Sequence, residues 1–400
     1  MSGTDGQFIF GIVDSPYFSR KTVQVSNRKS VKLKIFDEKI IKLVVNKGIV
    51  FEKSFWEEKK VTVTGGASFI GSAIVDDLVN LGAQVDVIDN FSSGTMSNLE
   101  ESKDKVKIHK FDIELSPRDE LVRLLKDTEI VFHLAARHGG RGYIDSHPAD
   151  VCNNMAIDNI MLNASLSAGV EKVIAASSAC VYPPSLQDKT TDYMLQETDT
   201  DVTKLEDYLS ADIEYGWAKV MGEMQLRAFN KQYGLKGASM RFVTAYGPRE
   251  NETHAIIALI YKALNHQEPF EIWGDGNQDR DFTYVKDISS ACILAGEKAT
   301  IDEFNVGTGE RYRIIDIANS IFDYLQWKPR EIFFNRSRPT GVYSRALNIE
   351  KIKKVLGWQP EFSLRKGMEE TIEWYKRHGN LTGISENLLL ERKVSKESSL

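Results

Sequence analysis

Tyr215 and Lys219 stand four positions apart in Asp212–Tyr233, whose pattern predicts a helix, so both fall on one face of it. An ammonium beside a phenol stabilises the phenolate. It draws a tyrosine pKa from about 10 toward neutrality, and the pair becomes a base. The same two residues could also be an ordinary surface Tyr and Lys on an amphipathic helix. A second cluster closes the run Lys172–Tyr182, which reads as a buried strand with its polar residues bunched at one end. A core strand finishing Ser-Ser-Ala-Cys delivers Ser178 and Cys180 to a site.

The element that would place a ligand against these groups lies earlier. In Val61-Thr-Val-Thr-Gly-Gly-Ala-Ser-Phe-Ile-Gly71 a strand runs into a glycine turn, and the turn opens a helix predicted over Phe69–Leu81 and ended by Gly82. A helix N-terminus offers unpaired N–H groups and a positive dipole end, a seat for a dinucleotide pyrophosphate. Gly65 and Gly71 fit the outer glycines of the pattern, Phe69 and Ile70 begin the helix, and Ser68 occupies the place of the middle glycine. A serine with φ below zero keeps the turn and could donate its hydroxyl to a phosphate. Asp89 ends the strand Gln84–Asn90, 24 positions after Gly65, near the spacing at which a carboxylate reads the adenosine ribose. No arginine follows directly, which favours NAD over NADP; the bland alternative for Asp89 is a loop cap.

Further strands at Val106–Ile113, Glu129–Ala136, Lys172–Tyr182 and Lys236–Tyr246 alternate with helices, including one from Pro148 to about Ala168. That rhythm predicts an α/β fold with a doubly wound parallel Rossmann sheet. The glycine-rich loop Ala136–Ile144 leaves the carboxyl end of a strand, where ligands bind in such sheets. Beyond Gly247 the rhythm loosens, with helices near Ala255–Leu264, Asp287–Lys298, Ile314–Leu325, Glu350–Leu356 and Leu364–His378. The organisation read from this is a basic β-rich extension over 1–58, an NAD-binding domain over 59–243, a mainly substrate-binding domain over 244–379 and a polar tail over 380–400.

The chain has 400 residues, 42% hydrophobic and 27% charged, with a net charge of −6. That composition suits a globular enzyme and argues against nucleic acid or an anionic membrane as partner. Cys152, Cys180 and Cys292 are too few and scattered for a disulfide framework or a metal site. No apolar run reaches the roughly 20 residues of a membrane span, and no signal-peptide pattern opens the chain, so a soluble, reducing, cytoplasmic setting is expected. Between Arg20 and Lys60, 12 Lys/Arg face 5 Asp/Glu, over alternating stretches that read as a small β-meander with turns at Asp37-Glu38 and Asn46-Lys47-Gly48. It is either a packing or oligomerisation extension or a docking module for an acidic partner.

Taken in order, these features resemble the extended short-chain dehydrogenase/reductase family, the nucleotide-sugar epimerases and dehydratases. The resemblance spans roughly 59–378. It rests on the glycine turn, Asp89, Asp112-Ile113, His-Leu-Ala-Ala, the Ser-Ser strand end, Tyr-x-x-x-Lys, Arg-Phe…Tyr-Gly-Pro and Arg280-Asp-Phe-Thr-Tyr-Val-x-Asp287. Within the family, His138-Gly-Gly-Arg-Gly-Tyr-Ile144, Ala-Ser-Ser-Ala-Cys-Val-Tyr-Pro183 and Trp273-Gly-Asp-Gly276 most resemble the GDP-mannose 3,5-epimerase subfamily.

The resemblance implies NAD held by the glycine turn with Asn90, Asp112, Ile113, Ala135 and Ala136. It implies Lys219 on the nicotinamide ribose, and Ser178 and Tyr215 on a sugar hydroxyl that is oxidised to a transient 4-keto sugar. Dehydratases carry acids at the places of Ala179 and Cys180, and 4-epimerases usually a threonine at the latter. The 3,5-epimerases use a cysteine there as base, because a ketone at carbon four acidifies its neighbours. Cys180 is therefore either that base or a small buried apolar residue.

Two places depart from the subfamily. No lysine follows the Tyr-Gly-Pro turn at the matching point; His254 could protonate a carbanion in its stead, cap the next helix, or lie on the surface. Thr244 stands where an asparagine that contacts the nucleotide sugar is usual. Arg280 and Arg345 match family arginines for the diphosphate, and His138, Gly139, Gly140 and Arg141 match the hexose loop. The expected function is inversion at carbon 3 and/or 5 of a GDP- or other NDP-hexose, in a homodimer. The alternatives are a UDP-sugar 4-epimerase with Cys180 a spectator, and a non-catalytic NAD-binding scaffold.

Overall fold

A computed structural model describes residues 30–34, 40–46, 49–188, 192–200, 211–251 and 253–379. Strands β1 (Ser30–Lys34), β2 (Ile40–Asn46) and β3 (Ile49–Glu52) pair antiparallel in that order, as their alternation predicts. The turns expected at Asp37-Glu38 and at Lys47-Gly48 lie outside the described residues, as does the tail over 380–400. Helix α1 (Lys53–Trp56) follows, and Trp56 is fully buried with its Nε1 donating to Glu297 at 2.7 Å.

The central unit then begins with β4 (Lys60–Thr64), α2 (Phe69–Leu81), β5 (Gln84–Asp89), β6 (Val106–Lys110), α3 (Arg118–Leu124) and β7 (Ile130–His133). After it come α4 (Arg141–Ser146), α5 (Pro148–Cys152), α6 (Asn154–Ala168), β8 (Lys172–Ser178), α7 (Ile213–Tyr233) and β9 (Lys236–Phe242). The smaller lobe opens with β10 (Thr244–Tyr246), α8 (Ala255–Leu264), β11 (Phe270–Trp273), β12 (Asp279–Arg280) and β13 (Phe282–Tyr284). The chain ends with α9 (Val285–Lys298), β14 (Glu303–Val306), β15 (Tyr312–Arg313), α10 (Ile314–Leu325), β16 (Ile332–Asn335), β17 (Ser344–Arg345), α11 (Glu350–Leu356) and α12 (Leu364–His378).

Seven strands form one parallel sheet in the order β14-β9-β8-β7-β4-β5-β6. One face packs through Ile88, Leu121, Val131, Ile157 and Met161. The other packs through Val61, Ile74, Leu78, Phe132, Ile293 and Phe304. Strand direction reverses its walk between β4 and β7, so the glycine turn and the His-Leu-Ala-Ala segment open at the switch point, where such sheets bind ligands. A second core of Ile256, Ile260, Phe270, Ile317, Phe322 and Ile372 builds the smaller lobe.

Four elements differ from the sequence reading. The strand expected over Lys236–Tyr246 divides after Phe242, because β10 pairs with β13 of the smaller lobe. The single helix from Pro148 breaks at Asn153, which seats the buried Asn154 side chain on the Arg137 backbone at 2.7 and 3.0 Å. The glycine-rich loop contains α4. Finally, β14 lies at the edge of the central sheet and α9 packs in its core, although both follow the Tyr-Gly-Pro turn.

A buried ion pair ties α7 to the sheet. Tyr215, Lys219 and Glu223 form one buried stripe of the helix. The Arg241 guanidinium of β9 donates to both Glu223 oxygens, at 2.9 and 2.7 Å, and to the Tyr182 hydroxyl at 3.0 Å. Ser177 adds a 2.6 Å bond to Glu223, and the Glu197 and Thr200 carbonyls take the remaining guanidinium hydrogens. Removing one partner leaves the other charge buried and alone. Glu223→Ala is therefore expected to lower stability by about 3–5 kcal/mol, read by denaturant unfolding, with loss of the packing of α7 on β8 and β9.

Candidate active site

The glycine turn is a backbone cradle with no room for side chains. A Cβ on Gly71 would lie 2.1 Å from the Gly65 carbonyl oxygen, and one on Gly65, at φ +66°, would lie 2.9 Å from the Ala135 nitrogen. Ser68 has φ −86° and sits at the N-cap of α2, so the turn survives without the middle glycine. Its hydroxyl, however, donates to the Gly65 carbonyl at 2.5 Å rather than toward a phosphate. The N–H groups of Phe69, Ile70 and Gly71 have no partner within the helix and are left for an anion.

Asp89 is buried, and both carboxylate oxygens hold backbone: Oδ2 accepts from Ala67 at 2.9 Å and Oδ1 from Phe91 at 2.8 Å. It does the work of a loop cap, and a ribose would share those oxygens. Burial pushes its carboxyl up, against the two N–H groups. Asn90 donates to Asp112 at 2.9 Å, and the other Asp112 oxygen receives the N–H groups of Glu114 and Leu115. Ile113 is buried behind them, and Ala135 donates its N–H to Thr64 at 3.3 Å. Next to it, Ala136 lines the cavity.

One cavity of about 640 Å³ runs from Ser68, Phe69 and Ile70 past Ser178, Cys180, Tyr215 and Lys219 to Arg280 and Arg338 in the smaller lobe. Ser178 accepts the Cys180 N–H at 3.1 Å and pairs with the Tyr215 hydroxyl. The Tyr215 pKa runs opposite to the sequence expectation. Burial, with Cys180 and Asp158 nearby, pushes the phenol up, and only Ser178 opposes this. Lys219 spends its ammonium on the Ala176 carbonyl at 2.9 Å. The start of α7 comes so close to the strand end that a Cβ on Gly216 would lie 2.2 Å from the Cys180 oxygen.

Cys180 sits in a one-turn helix after β8, partly accessible, with Arg345 donating to its sulfur at 3.2 Å. The same guanidinium donates to Gln187 at 2.5 Å and to Asp212 at 2.8 Å, and Arg141 reaches Asp212 at 3.0 Å. Burial works against the Asp212 carboxylate, but Arg345 and Arg141 outweigh it and hold the group below its usual range. Arg280 donates to the carbonyls of Asp279, Thr340, Val342 and Tyr343. Burial, then Arg345, pushes it down to about 10. Neither arginine is an unengaged fork; a diphosphate would have to draw them from these partners.

His138, Gly139, Gly140, Arg141 and Thr244 line the same cavity, as does His254. His254 takes the N-cap position of α8, yet its ring turns inward and stacks on His138 with centroids 5.4 Å apart and 13° between planes. Asp212, Glu250 and Arg338 escaped the sequence reading. Asp212 carried only a helix-start signal, Glu250 lies in a loop without period, and Arg338 meets Trp273, 5.2 Å from its ring centroid, only in three dimensions.

A parallel doubly wound sheet, a glycine cradle at its switch point and a Ser-Tyr-Lys cluster across the cavity define a dinucleotide-dependent enzyme of the extended short-chain type. The chain belongs to the NAD dependent epimerase/dehydratase family, whose model matches residues 61–307, and NAD is its cofactor. It is 30% identical to a putative UDP-glucose 4-epimerase of Methanocaldococcus jannaschii over 80% of this chain and 99% of that one. It is 28% identical to the GDP-mannose 3,5-epimerase of Arabidopsis thaliana over 81% of this chain and 84% of that one. Among solved structures it resembles the UDP-glucose 4-epimerase of Thermotoga maritima with UDP-glucose, with TM-score 0.71 and 30% identity over 80% of this chain and 99% of that one. No helix among the described residues is long and apolar enough to cross a membrane.

The cradle yields a test. Gly71→Ala, whose Cβ meets a carbonyl oxygen, is expected to abolish NAD uptake in calorimetry while circular dichroism stays native.

Proposed function

We propose that the protein inverts carbon 3 and/or 5 of a GDP- or other NDP-hexose through a transient 4-keto sugar. The observation that carries this is Cys180, in the cavity beside Ser178 and Tyr215, with a guanidinium on its sulfur. NAD, when bound, takes up and returns the hydride at carbon four, and its oxidised ring adds a positive charge that eases ionisation of a nearby phenol. Ser178 orients the carbon-four hydroxyl, and Tyr215 accepts its proton as the carbonyl forms. The ketone acidifies the hydrogens on carbons three and five. Cys180 as thiolate removes one of them, and Arg345 balances the sulfur's charge before the transfer. His254 returns a proton to the opposite face, and the hydride and the Tyr215 proton then restore carbon four. Lys219 serves the nicotinamide ribose, and Arg280 with Arg345 the diphosphate.

In this reading 59–243 is mainly the NAD half, 244–379 closes over the nucleotide sugar, and 1–58 is an added module. The exposed Trp217 and Met221 on α7 support a homodimer face formed with α6. The three free cysteines suit a reducing, cytoplasmic compartment. A second reading, a UDP-sugar 4-epimerase with Cys180 a spectator, is supported by the names of the two relatives matched at 30% identity.

Incubation with GDP- and UDP-hexoses in deuterated water, followed by NMR, separates the two. Deuterium is expected at carbon 3 or 5, and Cys180→Ser is expected to slow its entry by roughly 10²–10⁴-fold. Epimerised product with no ring deuterium leaves the 4-epimerase.

A further inference from the structure

The proton donor assigned above is a histidine rather than a lysine, and an ordinary imidazole is largely neutral at pH 7. Its surroundings bear on that. Glu250 is buried, with Oε1 within ion-pair distance of His254 Nδ1, 3.0 Å. The same oxygen accepts the Asn251 N–H at 3.0 Å, and Tyr375 of α12 donates to the Glu250 carbonyl. The preceding Arg249 is pinned to Asp76 of α2 at 2.7 Å. The loop is thereby held from both the cofactor helix and the last helix of the smaller lobe.

On its other side His254 meets His138, and His138 in turn packs against the Tyr215 ring with centroids 5.5 Å apart. The groups facing this stack are Glu250 from the loop and, beyond His138, Tyr215 and Lys219 of α7.

We infer that Glu250 is a positioning residue for catalysis, which keeps His254 charged and aimed into the cavity so that it can serve as the proton donor. The inference rests on the reading of His254 given above. The two histidines are driven apart. Burial, then the charges of His254 and Lys219, pushes His138 down to about 3, so it stays neutral. Burial works the same way on His254, but the Glu250 carboxylate and a hydrogen bond to the Gly139 backbone outweigh it and hold the ring above the usual histidine range. A neutral ring can stack on a charged one without repulsion, and two charged rings could not.

The sign follows. The protonated ring is the acid, so ring exchange persists below the His254 pKa and fades as pH rises through it. Removing the Glu250 charge lowers that pKa and brings the fade to lower pH.

The test is a titration of full-length protein labelled with 13C-histidine, the His254 signal assigned by its loss in His254→Gln. The wild-type midpoint is expected above the usual value of about 6.5. In Glu250→Gln it is expected to drop by about one unit or more, as for loss of a carboxylate partner at close range, and Glu250→Asp is expected to keep most of it. The alkaline limb of kcat for deuterium entry should move down with it, with KM little changed. A wild-type midpoint at or below the usual value overturns the inference, even where Glu250→Gln fails to fold. An unchanged midpoint in a folded Glu250→Gln does the same. Absence of ring deuterium in the wild type defeats the proposed reaction instead, and the titration still judges Glu250.

Discussion

The site depends first on a charge that never touches the ligand cavity's contents. Arg241 and Glu223 are both buried, and each finds its full complement of partners: two guanidinium–carboxylate bonds, Ser177, Tyr182 and two backbone carbonyls. A half-satisfied pair at this depth would be destabilising. Satisfied, it locks one helix face onto two strand ends. Glu223 lies one turn beyond Lys219, which lies one turn beyond Tyr215, so fixing the first sets the other two. Ser177 neighbours Ser178, so the same network sets the strand end that presents Ser178 and Cys180.

The cofactor side is organised by a parallel device. Thr64 at the end of β4 bonds His133 at the end of β7 at 2.7 Å, and His133 reaches Asp158 of α6 at 3.1 Å. These two strand ends flank the switch point. Clamping them holds the glycine turn against the Leu134–Ala135 backbone, where there is space for a hydrogen and not for a methyl group. Ser68 then costs little, because its side chain folds back onto the turn and leaves the N–H groups of α2 uncovered.

Inside the cavity, the charges examined above come in opposed sets. Asp212 stands between Arg141 and Arg345, Arg345 also faces the Cys180 sulfur, and Glu250 stands against His254. Dipoles and charges held in place before substrate arrives need not reorganise during reaction, which is how such sites stabilise developing charge. The raised Tyr215 pKa fits this state: the phenol holds its proton until a positive charge enters beside it.

The sequence by itself determined the periodic and the local. Strand–turn–helix alternation, the glycine turn, the helix pairing Tyr215 with Lys219 and the Ser-Ser-Ala-Cys strand end all follow from short-range rules, and α2, α8, α10, α11 and α12 begin and end where the pattern puts them. Tertiary structure decided what depends on distant partners. It took β14 and α9 back into the central sheet, split Lys236–Tyr246 between two sheets, and turned His254 inward onto His138. It gave the Lys219 ammonium to the Ala176 carbonyl, so the expected lowering of the Tyr215 pKa does not arise from that pair alone. Burial and long-range charge set proton affinities, and neither is written in the spacing of residues along a chain.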